Sequence, residues 1–349
     1  MMDSAQKLFR IIAFVTAIGL LIVASPARAQ ESTPTSSTYT PPDDIGVLEG
    51  SIVADGSSTV GPITTAAAEN FSELARNVDI EVSISGTGGG FTRFCEDETD
   101  VQDASRPISD DEMANCAEGG IDYYAFEIAY DGITIVVPES NTFLTCISTE
   151  SLAAIWNDEI TNFNQIDPSY PDMEIELFGA DTESGTYDYF NEQILGEDEN
   201  GDVIEPAADY EPSSDDNVLV EGVSGTEGGL GYFGFAYYEN AQDRLNAVSV
   251  TADGDMNKCV APSADTIRSQ EYKPLSRPLF VYIKASSLAE NRALQEFIRY
   301  YISDASALAT STGAVDAPAE DLAASQQKVE EAIAGTAPPD SQSASTPEA

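Results

Sequence analysis

An α/β fold with a largely parallel sheet, divided into two lobes, is what this sequence predicts, and three observations predict it. From Leu48 onward, strand-like runs alternate with turns and helix-like runs, the pattern of βα units feeding one sheet. Three of the turns share a Gly/Ser/Thr composition: Asp55-Gly56-Ser57-Ser58-Thr59, Ser85-Gly86-Thr87-Gly88-Gly89-Gly90 and Ser184-Gly185-Thr186. Two of them come early and the third only after a long interval, which points to two lobes. A chain of 349 residues is long enough for both.

The elements follow in order. Residues 1–29 read as a secretory signal: Lys7 and Arg10 are the charged start, 11–24 the apolar stretch and Ala27-Arg28-Ala29 the small-residue cleavage site. The apolar stretch is short for a membrane span, and no cysteine stands beside the cleavage site to carry a lipid, so a free periplasmic protein starting at Gln30 is expected. Residues 30–47, rich in Ser, Thr and Pro, read as a disordered linker. Strands at 50–54, 80–84 and 174–177 enter the three turns, and helical segments at 62–74, 89–94 and 186–195 leave them. Residues 121–129 and 133–137 read as two buried strands around a Tyr130-Asp131-Gly132 turn. A helix is expected at 149–155, loops with a short helix over 197–217, and a strand or strand-to-helix passage at 230–238. A strand at 279–284, an amphipathic helix at 288–302 and a last helix at 321–333 complete the chain before a frayed tail from 335 to 349.

The chain carries 61 acidic and 15 basic residues, a net charge of −46. Loss of residues 1–29 would leave it near −48. Phosphate-backbone binding needs basic surface, so no nucleic-acid partner is expected. The charge also repels small anions at long range, so an anion site here must work through local, desolvated donors. There is no histidine, which removes Ser-His-Asp and Cys-His nucleophiles and imidazole metal sites. No metal or cofactor is expected, and no catalytic residue. The four cysteines of an exported chain favour two disulfides, with three pairings open. Joining Cys95 to Cys116 would close a short loop around the second glycine-rich turn and leave Cys146 for Cys259.

A Gly/Ser/Thr turn between strand and helix presents free backbone N–H groups and hydroxyls at the positive end of a helix dipole, and so binds oxyanions without lysine. The competing reading is that Ser58, Thr87 and Ser184 merely cap helices. Three such turns in one chain favour a single tetrahedral anion held from several sides.

These turns, with DASRPIS at 103–109, YDGITIVV at 130–137, IWNDEITNF at 155–163, GGLGYFGFAYY at 228–238 and YKPLSRPLFVY at 272–282, resemble the substrate-binding proteins of phosphate ABC transporters, the PstS family. The resemblance covers about residues 48–310. It implies a bilobal type II periplasmic-binding-protein fold, with two mixed-sheet lobes (48–129 with 236–334, and 130–235) joined by two hinge strands. It also implies a non-enzymatic, monomeric periplasmic protein that binds inorganic phosphate and delivers it to membrane permease subunits. By motif, Ser58 and Thr59 donate from the first turn, Thr87 from the second, and Ser184, Gly185 and Thr186 from the third. Two departures stand out. Arg106 occupies a position where the family often has aspartate, and Gly179 and Ala180 stand where it often has arginine. The expectation is that Arg106 supplies the missing charge as a bidentate fork, against a surface ion pair as its bland role. Asp131 is then the carboxylate expected to accept the proton of hydrogen phosphate, against a plain turn residue. Without that acceptor, sulfate becomes the alternative ligand. A phosphoester hydrolase would need a metal cluster or P-loop lysine that the sequence lacks, and an adhesin reusing the fold would not need the donors to converge.

Overall fold

The structure is a computed structural model that describes residues 39–343, apart from 183 and 199–202. The signal at 1–29 and the first part of the linker lie outside the described residues. The first half is built from βα units: β1 (Glu49–Gly56), α1 (Gly61–Leu74), β2 (Asn77–Val82), α2 (Thr87–Cys95), β3 (Val101–Ala104) and α3 (Asp110–Gly119). β1 pairs in parallel with both β2 and β3, so the C-terminal ends of all three strands, and the turns that follow, open to one edge.

β4 (Tyr123–Pro138) corrects the sequence reading. The two strands expected around Tyr130-Asp131-Gly132 are one strand of 16 residues. The tripeptide looks like a turn, yet it is held extended by what packs on it. Gly132 leaves room for the Ile267 side chain, which any Cβ there would strike, and Asp131 faces Arg277 directly across the ladder. The strand is buried along nearly its whole length, as a strand covered on both faces must be.

The second half contains β5 (Cys146–Ser148), α4 (Thr149–Trp156), α5 (Phe163–Ile166), β6 (Glu176–Ala180), α6 (Gly185–Phe190), β7 (Glu211–Ser213), α7 (Asp216–Gly225), β8 (Gly229–Gly234), α8 (Phe235–Glu239) and β9 (Leu245–Thr251). The span 197–217, expected as loops with a short helix, holds the start of α7 and also a short strand that was not expected. β6 pairs in parallel with β7 and β8, while β8 and β9 run antiparallel to β4. β9 was expected with the first lobe from residue 236; its pairing with β4 and β5 joins it to the second half instead.

The chain returns through α9 (Ala264–Arg268) to β10 (Ser276–Lys284), antiparallel to β3 and β4. Then follow α10 (Ala285–Glu290), α11 (Arg292–Ser311), β11 (Val315–Asp316), α12 (Ala319–Ile333) and α13 (Asp340–Ser343). The single helix expected at 288–302 is two, broken at Asn291, whose side chain caps the second by accepting from Ala293 N and Leu294 N. The strand order 2-1-3-10-4-8-6-7 places β4 and β10 at the centre, so the sheet is parallel at its wings and antiparallel in the middle.

Two disorder expectations are also corrected. Tyr39 donates to Glu296 and Asp44 pairs with Arg292, so the described end of the linker is held on α11. In the expected tail, Asp340 accepts from Ala125 N and pairs with Lys328, which fastens the chain to β4. Disulfides join Cys95 to Cys116 and Cys146 to Cys259.

Candidate functional site

The first two turns are tied together by Asp55. This fully buried carboxylate accepts from Gly56 N (2.8 Å), from Ser85 N (3.0 Å) and Ser85 Oγ (2.8 Å), and pairs with Arg93. Ser57 closes the turn that leads into α1: its Oγ accepts from Thr59 N (3.2 Å) and Val60 N (3.4 Å). That leaves the hydroxyls of Ser58 and Thr59 for other partners. In the third turn Ser184 is itself the cap, accepting from Thr186 N at 3.2 Å. Helix capping therefore accounts for Ser184, and not for Ser58 or Thr87.

The first and third turns meet face to face. A Cβ on Gly185 would lie 2.8 Å from Thr59 N and 2.9 Å from Ser58 Oγ, so only glycine allows this approach. Ser58 Oγ reaches Asp188 Oδ2 on α6 at 3.3 Å. On one side of this contact lies a cavity of about 560 Å³, whose walls include Ser58, Thr59, Thr87, Ser105, Arg106 and Gly185. On the other side lies one of about 250 Å³, lined by Asp131, Ser184, Thr186, Asp216 and Tyr237 among others, and bordered again by Ser58, Thr59 and Gly185. The residues expected to surround one anion thus border two spaces that share a wall.

That wall is built on a residue the sequence reading passed over. Arg277, on β10, is only 11% exposed in its side chain. Its Nε donates to Asp131 Oδ2 (3.2 Å), Nη1 to Ser105 Oγ (3.1 Å), and Nη2 to Thr59 Oγ1 (2.7 Å) and the Gly185 carbonyl (3.4 Å). The guanidinium carbon lies 3.6 Å from the centre of the Tyr189 ring, a cation–π contact, and Tyr189 is pinned by donating to the Pro274 carbonyl at 2.6 Å. The signal for it was present: Ser276-Arg277-Pro278 repeats Ser105-Arg106-Pro107.

Arg106 lines the larger cavity but is committed elsewhere. Both of its terminal nitrogens donate to Glu112, each at 2.8 Å, and its side chain is 40% exposed. Burial alone would raise the Glu112 pKa; hydrogen bonds from Arg106 and Ser109 overcome this and hold the carboxyl below its usual range. Thr87 Oγ1 lies 3.1 Å from Ser105 Oγ and accepts from Ser105 N at 3.2 Å. Behind the first turn, Asp103 is fully buried with no cation on it. Burial pushes its carboxyl up to about 7, a hydrogen bond from Thr64 opposes this, and the Asp55 charge adds to it. Asp216 is pushed up to about 6, chiefly by burial, with the Asp131 charge contributing. Among the described residues no cluster of acids or cysteines is suited to a metal ion.

Residues 28–305 match the model of a PBP superfamily domain. A phosphate-binding protein PstS of Staphylococcus saprophyticus is 36% identical over 290 residues, spanning 83% of this chain and 88% of the relative. The chain belongs to the PstS family of phosphate-binding proteins. Another relative, the SphX protein of Synechocystis, is 43% identical over 274 residues, or 77% of this chain and 79% of its own. The crystal structure of a possible phosphate-binding protein from Planctomyces limnophilus superposes with a TM-score of 0.75 at 40% identity, covering 82% of this chain and 99% of that one. The PstS-family chain accordingly has the bilobal type II periplasmic-binding fold, with β4 running through both of its halves. None of its described helices is long and apolar enough to cross a membrane.

Proposed function

We propose that this protein captures inorganic phosphate in the periplasm, after removal of residues 1–29, and delivers it to the permease subunits of an ABC-type importer. It does so as a monomer and without chemical turnover. What carries the reading is the meeting of Ser58, Thr59 and Thr87 from one half with Gly185 from the other at a single cavity, in a chain related to proteins named for phosphate binding. Ser184 and Thr186 approach from the far side of the shared wall. Neutral donors and one desolvated cation suit a buried dianion in a protein whose overall charge repels anions. We assign to Asp131, 7% exposed and lining the smaller cavity, the role of accepting the proton that hydrogen phosphate retains at pH 7 and sulfate lacks.

Titration calorimetry at pH 7 tests this directly. Tight phosphate binding, unchanged by excess sulfate, is the expected result. Loss of phosphate binding in sulfate would keep an oxyanion site and reassign its ligand. Phosphatase assays with and without divalent metal are expected to show no turnover.

A further inference from the structure

We infer that Arg277, and not Arg106, supplies the positive charge of the anion site and sets the direction in which its hydroxyls donate. The inference rests on the phosphate reading above and assigns that site its electrostatic centre.

The chain has few cations, so which arginine serves the hydroxyls that line the cavity decides the site's polarity. Arg106 is spent on Glu112: two parallel hydrogen bonds at 2.8 Å satisfy the fork, and Ser109 N also donates to that carboxylate at 2.8 Å, fixing it in place. Arg277 meets its carboxylate through one oxygen only, Asp131 Oδ2, and gives its remaining N–H groups to two hydroxyls and a carbonyl. With the side chain 11% exposed against 40% for Arg106, its charge is also far less screened.

The hydroxyl contacts matter more than their number. A hydroxyl that accepts from a guanidinium must point its own proton elsewhere. Thr59 Oγ1 accepts from Nη2 and so is left to donate toward the cavity it lines. Ser105 Oγ accepts from Nη1 and lies 3.1 Å from Thr87 Oγ1, a contact in which either hydroxyl can donate. Thr87 Oγ1 also accepts from Ser105 N, which ties the second turn to the same group. One largely buried arginine thus orients a donor from the first turn and, through Ser105, positions the hydroxyl of the second. The face of the guanidinium is held against Tyr189, which fixes the plane from which both relays start.

The test is phosphate titration of the mature wild-type protein and of Arg277→Gln, Arg277→Lys and Arg106→Gln, with a thermal melt of each. Arg277→Gln is expected to weaken binding roughly 100-fold or more, as loss of a buried charge partner does. Arg106→Gln is expected to cost no more than about fivefold. Arg277→Lys, which keeps the charge but cannot serve both hydroxyls, falls between, at about tenfold. In the Arg277→Lys background, Thr59→Val adds less than it does in the wild type, because the relay it would break is already gone. An Arg277→Gln protein that melts normally and binds within fivefold of wild type overturns the inference, as does Arg106→Gln weakening binding more than Arg277→Gln. Should Arg277→Gln fail to fold, Arg277→Lys decides, and wild-type affinity there overturns it. A wild-type protein that binds no phosphate removes the phosphate reading and this inference together, whereas a binding wild type with an indifferent Arg277 removes this inference alone.

Discussion

Two Ser-Arg-Pro tripeptides lie at the ends of neighbouring antiparallel strands, β3 and β10, and their arginines end in opposite surroundings. Arg106 closes on Glu112, six residues along the same chain, at a half-open surface. Arg277 reaches Asp131 across the ladder, between two halves of the sheet, in a wall sealed by Tyr189. An identical local sequence therefore makes a local ion pair in one place and an inter-segment hub in the other. The lesson is that the partner's element, more than the residue type, fixes what an arginine can do.

The comparison can be broken at its strongest point by removing the counter-charge. Asp131→Ala leaves Arg277 buried without a carboxylate, and should lower unfolding free energy by about 3–5 kcal/mol in denaturant melts. An effect as small as that of a surface pair would mean the wall is wet and the contrast false. Asp103 sharpens the comparison from the other side, as a buried acid with no arginine at all. Its folded pKa, raised to about 7, exceeds that of the unfolded chain. The folded state therefore keeps a proton that the unfolded state has lost, so this group favours folding below about pH 4 and its contribution falls as pH rises through 7. Asp103→Asn should remove that slope, so that the variant gains about 4 kcal/mol relative to wild type between pH 4 and 8, read as a difference in urea midpoints. A constant difference across that range would contradict it. Tyr189→Leu takes away the ring beneath the guanidinium, and should weaken phosphate binding by about 1–2 kcal/mol in calorimetry. The smallest change belongs to the half-open pair: Glu112→Gln, which keeps an acceptor for the Ser109 backbone, should alter stability by under about 1 kcal/mol, and a larger loss would show the Arg106 pair to be buried in function.

The three turns were legible because their chemistry is local: Gly, Ser and Thr at fixed spacing after a strand specify the backbone without reference to the rest of the chain. The α/β class was legible for the same reason. Arg277 was not, since its importance arises from pairing with a strand 146 residues away. Tyr130-Asp131-Gly132 misled because a turn-like composition was overruled by Ile267 packing on Gly132 and by the cross-strand arginine. The linker and tail were misread for a related reason. Low-complexity composition suggests disorder, but single anchors such as Tyr39 and Asp340 are enough to hold a segment to a helix or strand.

The unbroken β4 has a consequence for anyone who would take this protein apart. Because Tyr123–Gly132 pairs with β10 on one side and Ile133–Pro138 with β8 and β9 on the other, the two halves share one length of backbone. A gene cut at residue 129 would divide that strand between the two fragments and leave Tyr123–Ala129 on one and its partner β10 on the other. Split reporters or circular permutants should open the chain instead beyond Pro138, at the exposed Glu139–Ser140 turn, where the shared strand stays whole.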